Sequence, residues 1–120
     1  MTGTIDNDWR ALLRITLRHP ATGADNDVDA WVDTAFTGDL TLPRALVTSL
    51  GFPRATTVRA RLADGSEIEL ESHSCLLPWF GQLKTVEIVA NDSTVPLLGV
   101  GVLRDNDVHI SYRNRTLTVS

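Results

Sequence analysis

One cysteine, Cys75, is present, so an internal disulfide is excluded, and the chain suits a reducing compartment. Its place in an apolar-rich stretch marks it as a buried small hydrophobe rather than a nucleophile. No apolar run approaches the length of a membrane span, which argues against a membrane partner. Met1 to Asp6 has neither a basic region nor an apolar core, so no leader is expected and the cytoplasm is the expected location. Basic clusters are missing too: eleven Lys and Arg residues are spread out in a chain of net charge −4. Arg54, Arg59 and Arg61, the densest group, alternate with small or apolar residues and read as the wet face of a strand, not a nucleic-acid footprint. The three histidines, His19, His73 and His109, lack metal-ligand spacing, and one sulfur adds little. Neither a Gly-x-Ser-x-Gly elbow nor a Gly-rich phosphate loop is found. A calcium loop over Asp25 to Phe36 fails, because its sixth position is Ala30 and its twelfth is Phe36.

What is present suits one soluble domain over residues 1–120, with 42% apolar and 22% charged residues. Leu13, Ile15 and Leu17 alternate with Arg14, Thr16 and Arg18, predicting a strand over Trp9 to Arg18. Val28, Ala30 and Val32 repeat the pattern, and Leu40 to Leu42 is a short second run. Pro43 is expected to open a two-turn helix faced by Ala45, Leu46, Val47 and Leu50 and stopped by Gly51. Thr56 to Ala63 and Ser66 to Leu77 flank Asp64-Gly65, a pair preferred in two-residue type I′ turns. That hairpin is either a lid or an ordinary meander. Pro78 to Gln82 is a further turn carrying Trp79 and Phe80, which either pack beneath it or mark a contact surface. Lys84 to Ala90 alternates again, Val100 to Arg104 allows a helical turn, and Asp107 to Tyr112 with Thr116 to Val119 reads as a closing hairpin. The expectation is an all-β domain of about eight strands with one or two short helices.

One stretch carries chemistry. The apolar run Val28 to Val32 ends on Asp33, followed by Thr34-Ala35-Phe36-Thr37-Gly38. An acid at the end of a buried strand needs either hydrogen bonds or a task. Asp33-Thr34-Ala35, the hairpin from Thr57 to Leu70, and Leu97-Leu98-Gly99 follow one another in the order found in retropepsin-like aspartic peptidases, which the chain resembles over nearly its whole length. The extension Phe36 to Pro43 is similar to that of stand-alone bacterial members. Ala35 departs from the family's usual glycine; its methyl group is tolerable where φ is negative.

The resemblance implies a single-lobed acid-protease β-barrel and an aspartic endopeptidase acting on a peptide or protein. It implies no metal and no organic cofactor. Two carboxylates about 3 Å apart share one proton and so supply both the base and the acid for hydrolysis by water. With one such acid per chain, the second comes from another copy, giving a homodimer with its site on the two-fold axis. By resemblance, Asp33, Thr34 and Ala35 form the catalytic loop, with Thr34 hydrogen-bonding across the dyad. Leu62, Ala63, Asp64, Gly65 and Ser66 would close over the substrate. Thr94, Val95, Leu97 and Leu98 would line or support the cleft. Two alternatives stay open: a peptidase-like binding or dimerisation module without turnover, for which Ala35 is the support, and a β-rich ligand-binding domain.

Overall fold

The computed structural model describes residues 1–61 and 63–120, and of these all side chains except those at 56–58, 60 and 70. Its strands are β1 (Thr2–Ile5), β2 (Ala11–Arg18), β3 (Asp25–Val32), β4 (Leu40–Pro43), β5 (Arg54–Arg61), β6 (Glu67–Trp79), β7 (Gln82–Asn91), β8 (Leu97–Leu98), β9 (Val108–Ser111) and β10 (Thr116–Val119). Two short helices, α1 (Arg44–Leu50) and α2 (Val100–Leu103), complete the described chain.

All ten strands belong to one sheet in the order β5-β6-β7-β4-β8-β3-β2-β1-β10-β9. A further pairing, Arg18 with Leu76, joins β2 to β6 and turns the sheet back on itself. The strands from β6 through β7, β4, β8 and β3 to β2 therefore close a ring. Outside it, β5 extends one end and β1, β10 and β9 the other. Closure explains the core. Leu13, Ile15 and Leu17 of β2 face Leu40 and Leu42 of β4, Ile88 of β7 and Leu98 of β8 in one apolar cluster, each essentially inaccessible to water. Burying one such side chain contributes about 1.5–3 kcal/mol. Cys75 lies in the same core, where burial first, and the charge of Asp39 second, push its thiol up to about 12. Its full burial fits the small hydrophobe that its surroundings in the sequence suggest.

Several boundaries differ from expectation. Ten strands replace about eight, the main addition being β1, which pairs with both β2 and β10. Only Ile5 of that strand is buried, so it carries no apolar alternation. Trp9 is not in β2 but sits in a left-handed turn at φ 63°. Pro43 ends β4 at φ −54°, ψ 136° and acts as the N-cap position, so α1 begins one residue later, at Arg44. Gly51 stops the helix in the left-handed region, as expected. The expected type I′ turn at Asp64-Gly65 is also corrected. Arg61 pairs with Glu67, and of the two turn residues only Gly65 has positive φ. The Asp64 carboxylate instead accepts from the Ser66 amide and hydroxyl. Those bonds, the hydroxyl's first, hold Asp64 below the usual carboxylate range. Two consecutive positive-φ residues, Phe80 and Gly81, stand between the paired Trp79 and Gln82, giving the two-residue geometry there.

Candidate active site

The site begins where β3 stops. β3 runs parallel to β8, with Trp31 opposite Leu97 and Val32 opposite Leu98. The Asp33 amide continues the ladder by donating to the Leu98 carbonyl at 3.0 Å. The chain then turns: the Ala35 amide donates to Asp33 Oδ1 at 3.0 Å and the Phe36 amide to the Asp33 carbonyl at 3.2 Å. One carboxylate oxygen thus fixes the turn, and among the described residues no cation pairs with Asp33. Asp33 is half-buried, whereas Thr34 and Ala35 are exposed. Ala35 is absent from the positive-φ residues, so its methyl group meets no left-handed strain where the family pattern has glycine.

A second segment clasps this loop from below. The amides of Gly99, Val100 and Gly101 donate to the carbonyls of Asp39, Phe36 and Gly38 at 2.9, 2.8 and 2.9 Å. A β-carbon on Gly99 would collide with the Gly38 carbonyl and the Phe36 ring, so glycine is required there by close approach. Thr41, buried in β4, accepts the Leu97 amide through its hydroxyl at 3.2 Å. Asp39 Oδ2 accepts the Glu87 amide at 3.0 Å and ties the loop to β7. Asp39 and these carbonyls escaped the sequence reading. Gly38-Asp39 lies inside the recognised extension, yet nothing in its local pattern reveals a partner nearly fifty residues away.

An open cleft of about 720 Å³ adjoins the loop. Ala35 to Asp39 form its floor, Glu87, Val89 and Asn91 of β7 a wall, and Arg59 and Arg61 of β5 an edge. Asp33 is not in the lining of this single-chain cleft, although the loop that starts with it is. Leu98 is fully buried and supports the loop from the core, while Leu97 is half-buried beside Trp31. Val95 is half-buried and Thr94 exposed, in the loop after β7, where the Ser93 hydroxyl bonds both the amide and the carbonyl of Val95. Ala63, Asp64, Gly65 and Ser66 are all exposed at the β5–β6 turn; Leu62 lies outside the described residues. A separate cavity of about 380 Å³ under α1, lined by Arg44, Phe52 and His73, contains none of the loop. Among the described residues no three His, Cys, Asp or Glu side chains gather as a metal-holding group, and no helix is long and apolar enough to cross a membrane.

No family model matches the sequence, and no curated protein matches it. Solved structures do match the fold. A retropepsin-like aspartic protease from Rickettsia conorii superposes with a TM-score of 0.72 at 16% identity, covering 99% of this chain and 88% of that one. The EIAV protease in complex with the inhibitor HBY-793 gives 0.60 at 18% identity, covering 85% and 92%. The Simian Foamy Virus (mac) protease gives 0.50 at 16% identity, covering 77% and 92%. At such identities the likeness is one of architecture. The chain has the all-β, retropepsin-like fold of aspartic proteases.

Proposed function

We propose that the chain is a homodimeric aspartic endopeptidase in which two Asp33 carboxylates, one from each copy, activate a water molecule. One observation carries the reading. Asp33 follows a strand anchored in the core by Ala30 and Val32 and is half-exposed, with one oxygen holding the turn and no cation partner among the described residues, on a loop braced by three backbone bonds. Such a carboxylate is oriented but not neutralised. Two of them close together share a proton. The ionised one takes a proton from water as the water oxygen attacks the peptide carbonyl carbon. The protonated one gives its proton to the carbonyl oxygen, forming a tetrahedral diol. Collapse of the diol breaks the C–N bond and delivers a proton to the departing amine. In this reading Thr34, exposed beside the acid, bonds across the dyad. Thr94, Val95 and Leu97 border the substrate, and the β5–β6 hairpin from Ala63 to Ser66 covers it.

The test is cleavage of a peptide library by the wild type and Asp33→Asn at high protein concentration across roughly pH 4 to 7, where a shared-proton pair titrates. Wild-type cleavage rising more than linearly with concentration, and lost in the variant, is the expected result. Retained cleavage in Asp33→Asn overturns the assignment. The second reading, a binding module without turnover, draws on Ala35. It is favoured if the wild type is silent and Ala35→Gly restores cleavage.

A further inference from the structure

The cavity under α1 takes no part in the chemistry at Asp33, yet it is built to hold something. Its 380 Å³ falls within the range of about 300–1,000 Å³ typical of ligand pockets. Residues of α1 and its stop, of β6 and of β7 line it. The apolar part of the lining is Val47, Phe52 and Ala90, all buried. The His73 ring adds an aromatic wall, and Thr48 stands at the exposed edge.

Two histidines shape it in different ways. His19 Nδ1 accepts the amides of Ala21 and Thr22 at 3.0 and 3.2 Å, so the ring proton sits on Nε2, which donates to the Gly51 carbonyl at 2.9 Å. The same ring stacks on Phe52 with centroids 5.9 Å apart. Gly51 and Phe52 are therefore fixed before any guest arrives. His73 is the opposite case: its Nδ1 is buried without a hydrogen-bond partner. The polar groups beside it have partners, since the Thr48 hydroxyl donates to the Arg44 carbonyl at 3.1 Å and Glu71 accepts from Arg54. One buried nitrogen in the wall is thus left to be satisfied.

Arg44 and Ala90 line both this cavity and the 720 Å³ cleft, so the two hollows are continuous at that pair. Arg44 closes the joint loosely: its Nε stands 3.5 Å from Asp92, whose side chain is 95% exposed. None of the loop from Asp33 to Asp39 lines the cavity, so a chain lying in the cleft reaches it only with residues away from the bond being cut. We propose that the cavity receives an aromatic side chain bearing one hydrogen-bond donor, Tyr or Trp, from a peptide substrate in the cleft, and that His73 accepts from it. This rests on the peptidase reading above and adds to it a preference remote from the scissile bond. A ring suits Val47, Phe52 and Ala90, and ring pairs gain beyond burial alone. An aliphatic guest would leave the His73 nitrogen unpaired.

N-acetyl-tyrosine amide, titrated into the full chain carrying Asp33→Asn, tests the cavity apart from turnover, with NMR shifts as the readout. Saturating shifts at Thr48, Phe52 and His73 are expected, and Thr48→Trp, which fills the exposed edge, should abolish them. N-acetyl-phenylalanine amide should bind several-fold more weakly, a difference that His73→Phe erases. His73→Phe also keeps the test open should Thr48→Trp disturb α1. In the active chain, Tyr scanned through peptide positions on either side of the cleaved bond should raise kcat/KM about tenfold over Gly at one remote position, a ratio that Thr48→Trp returns toward one. No shift up to the solubility limit of the probe overturns the cavity and leaves the peptidase reading intact. Equal binding of the two probes overturns the role of His73. Probe binding by a chain that cleaves no peptide overturns the peptidase reading, and the substrate role with it.

Discussion

Two antiparallel pairs in this sheet use the same surface chemistry to different ends. On β2 and β3, Arg14 faces Asp29, Thr16 faces Asp27 and Arg18 faces Asp25, with contacts of 3.2, 2.7 and 2.8 Å. At the outer end of β5 and β6, Arg59 faces Glu69 and Arg61 faces Glu67 with the charged groups 3.5–4.0 Å apart, whereas at the end nearer the ring Arg54 hydrogen-bonds Glu71. The difference lies beneath them. Every inward residue of β2 is buried, whereas Glu67, Ile68 and Glu69 of β6 are all exposed. Cross-strand charges reach close geometry where an apolar face already fixes the strands, and stay loose where none does. The first pair belongs to the wall of the ring and the second stands out from it, beside the cleft.

Core truncation separates the two pairs most widely. Leu13→Ala, at a fully buried position on β2, is expected to cost about 2–5 kcal/mol in urea unfolding. Ile68→Ala, 39% exposed on β6, should stay within about 0.5 kcal/mol of wild type. Equal losses would mean that both pairs are walls of the core. Next, Gly65→Ala places a side chain at φ 88° at the hairpin tip, a local strain of about 1 kcal/mol. Peptide turnover should fall and global stability drop by no more than about 1 kcal/mol, which initial rates and equilibrium unfolding measure side by side. A smaller effect comes from charge. Arg14→Glu sets like charges opposite Asp29 and should lower stability by about 0.2–1 kcal/mol, whereas Arg59→Glu beside Glu69 should be lost in measurement error.

Acid titration sharpens the same contrast. Asp25 is held below its ordinary value of 3.8, first by the hydrogen bond from Arg18 and then by that residue's charge. A depressed carboxylate contributes stability that is full above its unfolded value and lost as pH falls through the folded one. Thermal midpoints recorded from about pH 5 downward should therefore fall less steeply in Asp25→Asn than in wild type. Equal slopes would show that the Arg18–Asp25 pair carries no proton-linked stability.

How far the sequence revealed the fold follows from the same physics. β2 was legible because Leu13, Ile15 and Leu17 alternate and are all buried. β1 was not, since it is held by pairing to β2 and β10 and buries only Ile5. Asp64-Gly65 carried the stronger turn signal, yet the two positive φ angles belong to Phe80 and Gly81. There Trp79 is buried and its indole donates to Asn106, while Phe80 is left outside, a division that local pattern could not make. Asp33 was legible as an acid ending an apolar strand. Its bracing was not, because the donors lie at Gly99 to Gly101 and only the folded sheet brings them close. The cavity under α1 was missed for a similar reason: Val47, His73 and Ala90 are far apart in the chain.

The clasp beneath the Asp33 loop also sets an order of events. Its donors lie sixty or more residues downstream of the carbonyls that accept them, and such distant contacts form slowly because a long loop must first close. During synthesis the acid-bearing turn is therefore exposed well before the segment that fixes it has been made. The chain cannot present a braced carboxylate until its last third has folded against its first.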